Sequence, residues 1–422
     1  MTEPVLARLK NGELIGARDH SVCRFSAIPY AQPPTGPLRF RPPQPAVWSG
    51  RRHADQPGPV CPQLPSRLRS VMGDFTAEHN EDCLHLTVWT PAVDNHKRPV
   101  VVWLHGGAWQ SGGGAIDWYN GAQLSARGDV VVVAVNYRLA ALGWLFVPGE
   151  TANCGLLDTE MAIDWVCSNI ADLGGDPDRI TVMGQSAGGF NIAALLTRTP
   201  RFQRAILQSA SLGRGFRNAE QAERLTHAFL QSLHAPTLEA ARALPTDALL
   251  KAQHAPGVLD ALALENANRS LFCPVADGEI IATDCTQALH DAVARADVLI
   301  GATRDEMAAF PGQDCSPASR ALGDEIFGAP SRRWADHARQ KGRQAWSYSF
   351  DFGPHPHYGA CHCIELPFTF GNLDAFRAAP MLEGADPAHA RVLADAVQRA
   401  WIAFIRGENP GWAPAPHVHH FA

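Results

Sequence analysis

The stretch Arg179-Ile180-Thr181-Val182-Met183-Gly184-Gln185-Ser186-Ala187-Gly188-Gly189 decides the reading of this chain. It runs as an apolar, β-branched strand, then Gly-x-Ser-x-Gly, then a small-residue opening to a helix from Phe190 to Arg198. Gly184 and Gly188 have no Cβ, so strand and helix can approach closely around a sharp turn. Such a turn lifts the Ser186 hydroxyl above a sheet as a nucleophile elbow. The pentapeptide alone is common in loops; the strand before it and the helix after it give it weight. A serine hydroxyl is a poor nucleophile at neutral pH. It needs a base, a group that orients the base, and donors for the oxyanion that forms.

Composition narrows the partners. The 422 residues are 46% hydrophobic and 18% charged, which are globular proportions. A net charge of -6 and the absence of a Lys/Arg run speak against nucleic acid. No apolar run approaches the about 18 residues of a membrane span. The start, Met1-Thr2-Glu3-Pro4, lacks a basic segment followed by an apolar one, so a cytoplasmic location is expected. In that reducing setting most of the ten cysteines are expected to be free thiols.

Around the elbow the chain alternates strands and helices. Short strands are expected at Val5–Leu9, Gly12–Gly16 and Cys23–Ile28, followed by a proline-rich ordered loop from Pro29 to Phe40. Residues 57–80 read as irregular. Further strands are expected at Leu84–Thr90, Pro99–Leu104, Val130–Tyr137, Arg204–Gln208, Asp297–Gly301 and Gln344–Phe352, the last taken as the final strand. Helices are expected at Leu156–Leu173, closed by Gly174-Gly175, and through Val392–Ile405, closed by Gly407. Strands alternating with helices imply an α/β fold with a mostly parallel sheet covered on both faces. One domain over 1–422 is expected, with helical insertions near 213–270 and 311–343.

A series of motifs in order carries a family resemblance. They are Ile28-Pro29-Tyr30-Ala31 with Pro33-Pro34-x-Gly36-x-Leu38-Arg39-Phe40, Glu81-Asp82-Cys83-Leu84-His85-Leu86, and Trp103-Leu104-His105-Gly106-Gly107-Ala108-Trp109. Asn136-Tyr137-Arg138, Gly155-Leu156-Leu157-Asp158, Gly174-Gly175-Asp176-Pro177 and the elbow follow, then Gly301-Ala302-Thr303-Arg304-Asp305-Glu306 and Gly359-Ala360-Cys361-His362. Together they resemble type-B carboxylesterases of the cholinesterase and para-nitrobenzyl esterase kind, which implies the α/β-hydrolase fold.

The oxyanion donors come from a loop that ends a strand. Backbone N–H groups of Gly107 and Ala108, with that of Ala187, are expected to face the developing charge. By resemblance Ala108 stands where many relatives carry a third glycine. Eighteen histidines are too many for composition to choose a base; the resemblance selects His362. It likewise selects Glu306 as the acid that orients the imidazole, with Asp305 the nearest rival. His105 is expected to support the oxyanion loop, and His417, His419 and His420 to lie in a terminal tail. Cys363 replaces a usual glycine beside His362, and Met307 one beside Glu306.

The resemblance also pairs Arg39 with Glu81 and Arg138 with Asp158, and matches Cys61 and Cys83 to a family disulfide. Trp109 and Phe310, each close after a site loop, are expected to line a substrate pocket. The implied activity is serine carboxylesterase chemistry on a small-molecule ester, without cofactor or metal. Amide, carbamate or lactone hydrolysis is an alternative within it. A non-catalytic binding module would lack the nucleophile, and a metal site drawn from His355, His357, Cys361, His362 and Cys363 would compete for His362. By resemblance the chain is shortened between Ser209 and Asp277 and between Glu306 and His362. A more open entrance, short acyl chains and tolerance of bulky alcohols are expected from that.

Overall fold

Val100-Val101-Val102-Trp103 and Val131–Val135 are buried on both faces, the pattern of strands sandwiched between helical layers. The computed structural model describes residues 3–19, 21–265 and 269–422. Residues 266–268 of the expected 213–270 insertion, and Met1-Thr2 of the start, lie outside the described residues. In chain order the strands are β1 (Glu3–Leu9), β2 (Gly12–Asp19), β3 (Val22–Pro29), β4 (Arg51–His53), β5 (His85–Thr90), β6 (Arg98–Leu104) and β7 (Val131–Val135). They continue as β8 (Gly175–Gln185), β9 (Arg204–Gln208), β10 (Arg217–Asn218), β11 (Val275–Ala276), β12 (Asp297–Thr303), β13 (Ala345–Phe350) and β14 (Val418–Phe421).

Twelve of these strands form one sheet in the order β1-β2-β3-β5-β7-β6-β8-β9-β12-β13-β14, with β4 attached to β2. The β1-β2-β3-β5-β7 end is antiparallel. From β7 through β6, β8, β9, β12 and β13 to β14 every pairing is parallel. This is the α/β-hydrolase fold. Parallel strands put their C-terminal ends on one side, so β6, β8 and β12 deliver the loop at Gly107, the turn at Ser186 and the turn at Glu306 to the same edge.

Two elements differ from the sequence reading. Gln344–Phe352 is not the final strand. The chain returns after the Pro387–Arg406 helix, capped by Gly407 at φ 84°, and adds β14 beside β13. The run is too short and histidine-rich to show strand periodicity. Phe421 anchors it on Tyr348 and Trp401, and His420 meets Asp351 at 2.6 Å. His419 and His420 therefore belong to an edge strand.

Among the described residues, the 213–270 segment carries β10 and the helices Ala219–Ser232, Leu238–Arg242, Thr246–Ala252 and Pro256–Ala263. The 311–343 segment holds Pro317–Gly323 and Ala329–Gln340. The irregular 57–80 segment includes a short helix, Arg69–Met72. No described helix is long and apolar enough to cross a membrane.

Two buried ion pairs tie loops to the sheet. Arg39 meets Glu81 through Nε at 2.8 Å and Nη2 at 2.5 Å. Arg138 meets Asp158 at 2.8 and 2.7 Å, and its own N–H donates to Asp158 Oδ2 at 3.0 Å. Cys61 and Cys83 are free buried thiols. Contact with Cys61 and burial both raise the Cys83 thiol well above its usual range.

Candidate active site

At the end of β8 the chain turns on Ser186, whose φ is 55° and ψ -118°. That region is unfavourable for a side chain bearing a Cβ, and it persists because the surroundings hold it. Ser186 N–H donates to Gln208 O at 2.8 Å, and its carbonyl accepts from Phe190 N in the following helix, Ala187–Leu196. A Cβ on Gly188 would sit 1.9 Å from Leu104 O, and one on Gly184 2.6 Å from Gly188 C. Strand, helix and the β6 end thus pack backbone to backbone.

Ser186 Oγ lies 2.8 Å from His362 Nε2. His362 Nδ1 contacts the Glu306 carboxylate through Oε2. The second oxygen of Glu306 accepts the Thr303 N–H at 2.9 Å, which fixes the acid at the end of β12. His362 N–H donates to Glu306 O at 3.3 Å, so backbone and side chain hold the pair together. Both residues are buried, and Ser186 is partly exposed. Hydroxyl, imidazole and carboxylate in series is the arrangement that lets imidazole take a hydroxyl proton while the carboxylate holds its tautomer.

Asp305 points elsewhere. It accepts from Arg320 Nε at 2.6 Å, from Arg304 at 2.8 and 3.0 Å, and from Ala360 N at 2.9 Å.

The loop after β6 carries the Gly107 and Ala108 N–H groups. Gly107 O accepts from Gln110 N at 3.0 Å and Ser111 N at 3.1 Å, which turns the peptide around. The N–H groups of Gly107 and Ala108 have no protein acceptor among the described residues. Ala187 opens its helix, where an N–H has no intrahelical acceptor. Gly107 (φ 109°), Ala108 (φ 57°) and Trp109 (φ 60°) all take positive φ, so alanine at 108 occupies a backbone that favours glycine. His105 lies beneath. It stacks on Tyr137 at 4.4 Å, and its Nδ1 is 2.7 Å from Gly106 O. Burial pushes it down to about 4, so it is neutral at pH 7.

Ser66, Arg67, Leu68, Gly107, Ala108, Ser111, Phe310, His362 and Cys363 surround Ser186 in a cavity of about 20 Å³. Phe310 is among these lining residues, 5.4 Å from the imidazole. Trp109 does not line this cavity. Its positive φ turns the indole into the core, where Nε1 donates to Asn191 Oδ1 at 2.8 Å and the rings pack on Trp144 and Phe190. The 66–68 segment and Phe310 line the cavity at Ser186, which stays partly exposed. Among the described residues no three His, Cys, Asp or Glu side chains group to hold a metal ion. Cys361 and Cys363 are buried, and His355 Nδ1 accepts backbone N–H groups from His357 and Tyr358.

Two neighbours escaped the sequence reading. Gln185 places Nε2 3.2 Å from His362 Nε2 and 3.3 Å from Cys363 Sγ. Glu365 is buried beside Ser209 Oγ at 3.4 Å. Burial, then the charge of Glu306, pushes it up to about 8. Gln185 stood inside the elbow motif; nothing local in the sequence marked Glu365.

The profile of the Carboxylesterase family matches residues 3–318. The chain belongs to the carboxylesterase family. This carboxylesterase is 34% identical to the para-nitrobenzyl esterase of Bacillus subtilis, over 94% of this chain and 89% of that protein. It is 37% identical to a probable N-octanoylanthranilate hydrolase of Rhodococcus erythropolis, over 92% and 90%. A solved thermophilic PNB esterase superposes with a TM-score of 0.86 at 33% identity, covering 96% of this chain and 92% of that one. The enzyme is therefore a carboxylic-ester hydrolase.

Proposed function

We propose that the enzyme cleaves small carboxylic esters by acyl transfer to Ser186. His362 removes the hydroxyl proton as Oγ attacks the acyl carbon, Glu306 holds the ring and stabilises the imidazolium, and the N–H groups of Gly107, Ala108 and Ala187 receive the oxyanion. His362 then protonates the leaving alcohol. Water activated by the same imidazole releases the acid and regenerates Ser186. The reading is carried by the continuous contact from Ser186 Oγ through His362 to Glu306.

We extend it to one catalytic domain over 1–422 and to short acyl groups. A cavity of about 20 Å³ has room for about one water molecule, so long chains gain little burial there. In a closed gorge each further methylene would add about 0.8 kcal/mol. The experiment is turnover of p-nitrophenyl esters from acetate to decanoate, with phenylmethylsulfonyl fluoride as an acylation probe. Inactivation by the probe and no rise in kcat/KM past the shortest chains are expected. A folded Ser186→Ala variant retaining more than about a tenth of the turnover would sink the assignment.

A further inference from the structure

The arginines that brace this fold meet carboxylates. Arg39 has Glu81, Arg138 has Asp158, and Arg217 has Glu265 at 3.0 Å. Three others near the Ser186 site, an exposed Arg67 and the half-buried Arg214 and Arg269, do not. Arg67, Arg214 and Arg269 make no ion pair among the described residues.

Their placement is specific. Arg67 lines the cavity beside Ser186, and its guanidinium is 5.3 Å from the centre of the Phe310 ring. The Arg214 guanidinium is 5.9 Å from the Phe327 ring centre. Both rings lean on the His362 imidazole, at 5.4 and 5.0 Å. Arg269 Nη2 donates to Arg214 O at 2.6 Å, which links the third guanidinium to the second.

Arg214 Nε and Arg269 Nη1 are shut off from solvent and have no acceptor. Buried donors are nearly always satisfied, so two charged ones left open beside a site imply a missing acceptor. Burial, then the like charges of Arg67 and Arg269, push Arg214 down to about 10. The carboxylate that acts on Arg214, Glu306, is already engaged by His362. Guanidinium forks match a planar carboxylate, and an anion arriving here would supply the acceptor and relieve the repulsion together.

We propose that Arg67, Arg214 and Arg269 form an anion subsite, and that the preferred substrates are esters carrying an ionised carboxylate a few bonds from the scissile carbonyl. This rests on Ser186 being the nucleophile. Phe310 and Phe327 hold the cations at the edge of the site by cation–π contact, so the substrate's charge is fixed relative to the imidazole.

The test compares kcat/KM for charged and neutral twins. Methyl hydrogen glutarate against dimethyl glutarate places the carboxylate on the acyl side. Acetylsalicylate against its methyl ester places it on the alcohol side. A preference of about tenfold or more for the anion is expected in at least one arm. It should shrink steeply from about 0.01 to 1 M salt, where the screening length falls from about 30 to 3 Å. Arg67→Gln and Arg214→Gln should each lower the anion-to-neutral ratio, with Arg214→Lys restoring part of it. Should the arginine variants fail to fold in a thermal melt, the wild-type ratios and their salt dependence still decide. Ratios at or below one in both arms, or a preference indifferent to salt, overturn the subsite.

Failure of the Ser186 reading looks different: turnover of neutral and charged esters alike would persist in Ser186→Ala. Titrating that variant with methyl hydrogen glutarate and with dimethyl glutarate reads the subsite without turnover. Tighter binding of the anion supports it, and equal binding overturns it.

Discussion

Asp305 and Glu306 are adjacent, both buried, and serve opposite regions of the molecule. Glu306 faces the cleft and meets the imidazole of His362. Asp305 faces the scaffold, where Arg304, Arg320 and the Ala360 N–H converge on it. Burial opposes its ionisation, but hydrogen bonds from Arg304, Arg320 and Ala360 outweigh that and hold Asp305 below the ordinary aspartate range. Two carboxylates one residue apart thus have different tasks because the turn after β12 aims them apart. One meets the imidazole; the other fastens the loop that carries it.

The largest effects are expected at His362 and Glu306. His362→Ala and Glu306→Gln are expected to lower kcat by on the order of 10⁴- to 10⁶-fold, the carboxamide being the milder. Thermal melts should move little. Asp305→Asn should do the reverse. It leaves the nucleophile–base contact intact and destabilises the fold by about 1–3 kcal/mol, because Arg304 and Arg320 are half-exposed and rehydrate. Paired kcat and melting measurements decide: a near-neutral Glu306→Gln with an inactive Asp305→Asn would reverse the two roles.

A smaller effect is expected in the Gly107–Ala108 loop, proposed to hold the oxyanion. Gly107 lies beside Ser186 and packs its Cα against Ser111. A Cβ there would lie 1.9 Å from Ser111 O on a backbone at φ 109°. Gly107→Ala must therefore move the loop, and a shift of about 1 Å is expected to lower kcat about 10²-fold. Ala108→Gly should cost far less, because φ 57° suits glycine and the N–H stays in place. Comparable losses from both would mean that the loop does not hold the oxyanion.

What could be read beforehand follows from the range of the interactions. The elbow was legible because its constraint is local: backbone crowding at Gly184 and Gly188 and a forced φ at Ser186 leave marks within five residues. The buried parallel strands were legible from valine runs such as Val131–Val135. His362 and Glu306 needed the family resemblance, because their contact spans 56 residues and eighteen histidines compete for it. Trp109 was misplaced because its rotation is set by Ala108 and Trp109 both adopting positive φ, which alanine and tryptophan do not announce. β14 was missed because its stability comes from Tyr348, Trp401 and Asp351, all distant in sequence. The arginine cluster is a property of three loops at once and has no motif.

A third carboxylate sharpens the contrast through pH. Glu365 is buried three residues beyond His362, accepts from Ser209 Oγ at 3.4 Å, and has one oxygen with no partner. Burial first, and the nearby charge of Glu306 second, push it up to about 8 from an ordinary 4.5. Between those values the folded enzyme holds a proton that the unfolded chain has released. Stability therefore falls as pH rises across that window, by at most about 1.4 kcal/mol per pH unit. Asp305 has the opposite sign: its value is depressed in the fold, so its contribution is present above the ordinary aspartate range and is lost as pH falls through its folded value. Glu365→Gln replaces the protonated acid with a neutral group of the same shape. Denaturant melts at several pH values should show the wild type losing stability toward pH 8 and the variant losing much less. Their difference should be smallest near pH 4 and largest near pH 8. Parallel profiles would mean that Glu365 is ionised in the fold at neutral pH, and that the cleft accommodates two negative carboxylates beside one imidazole.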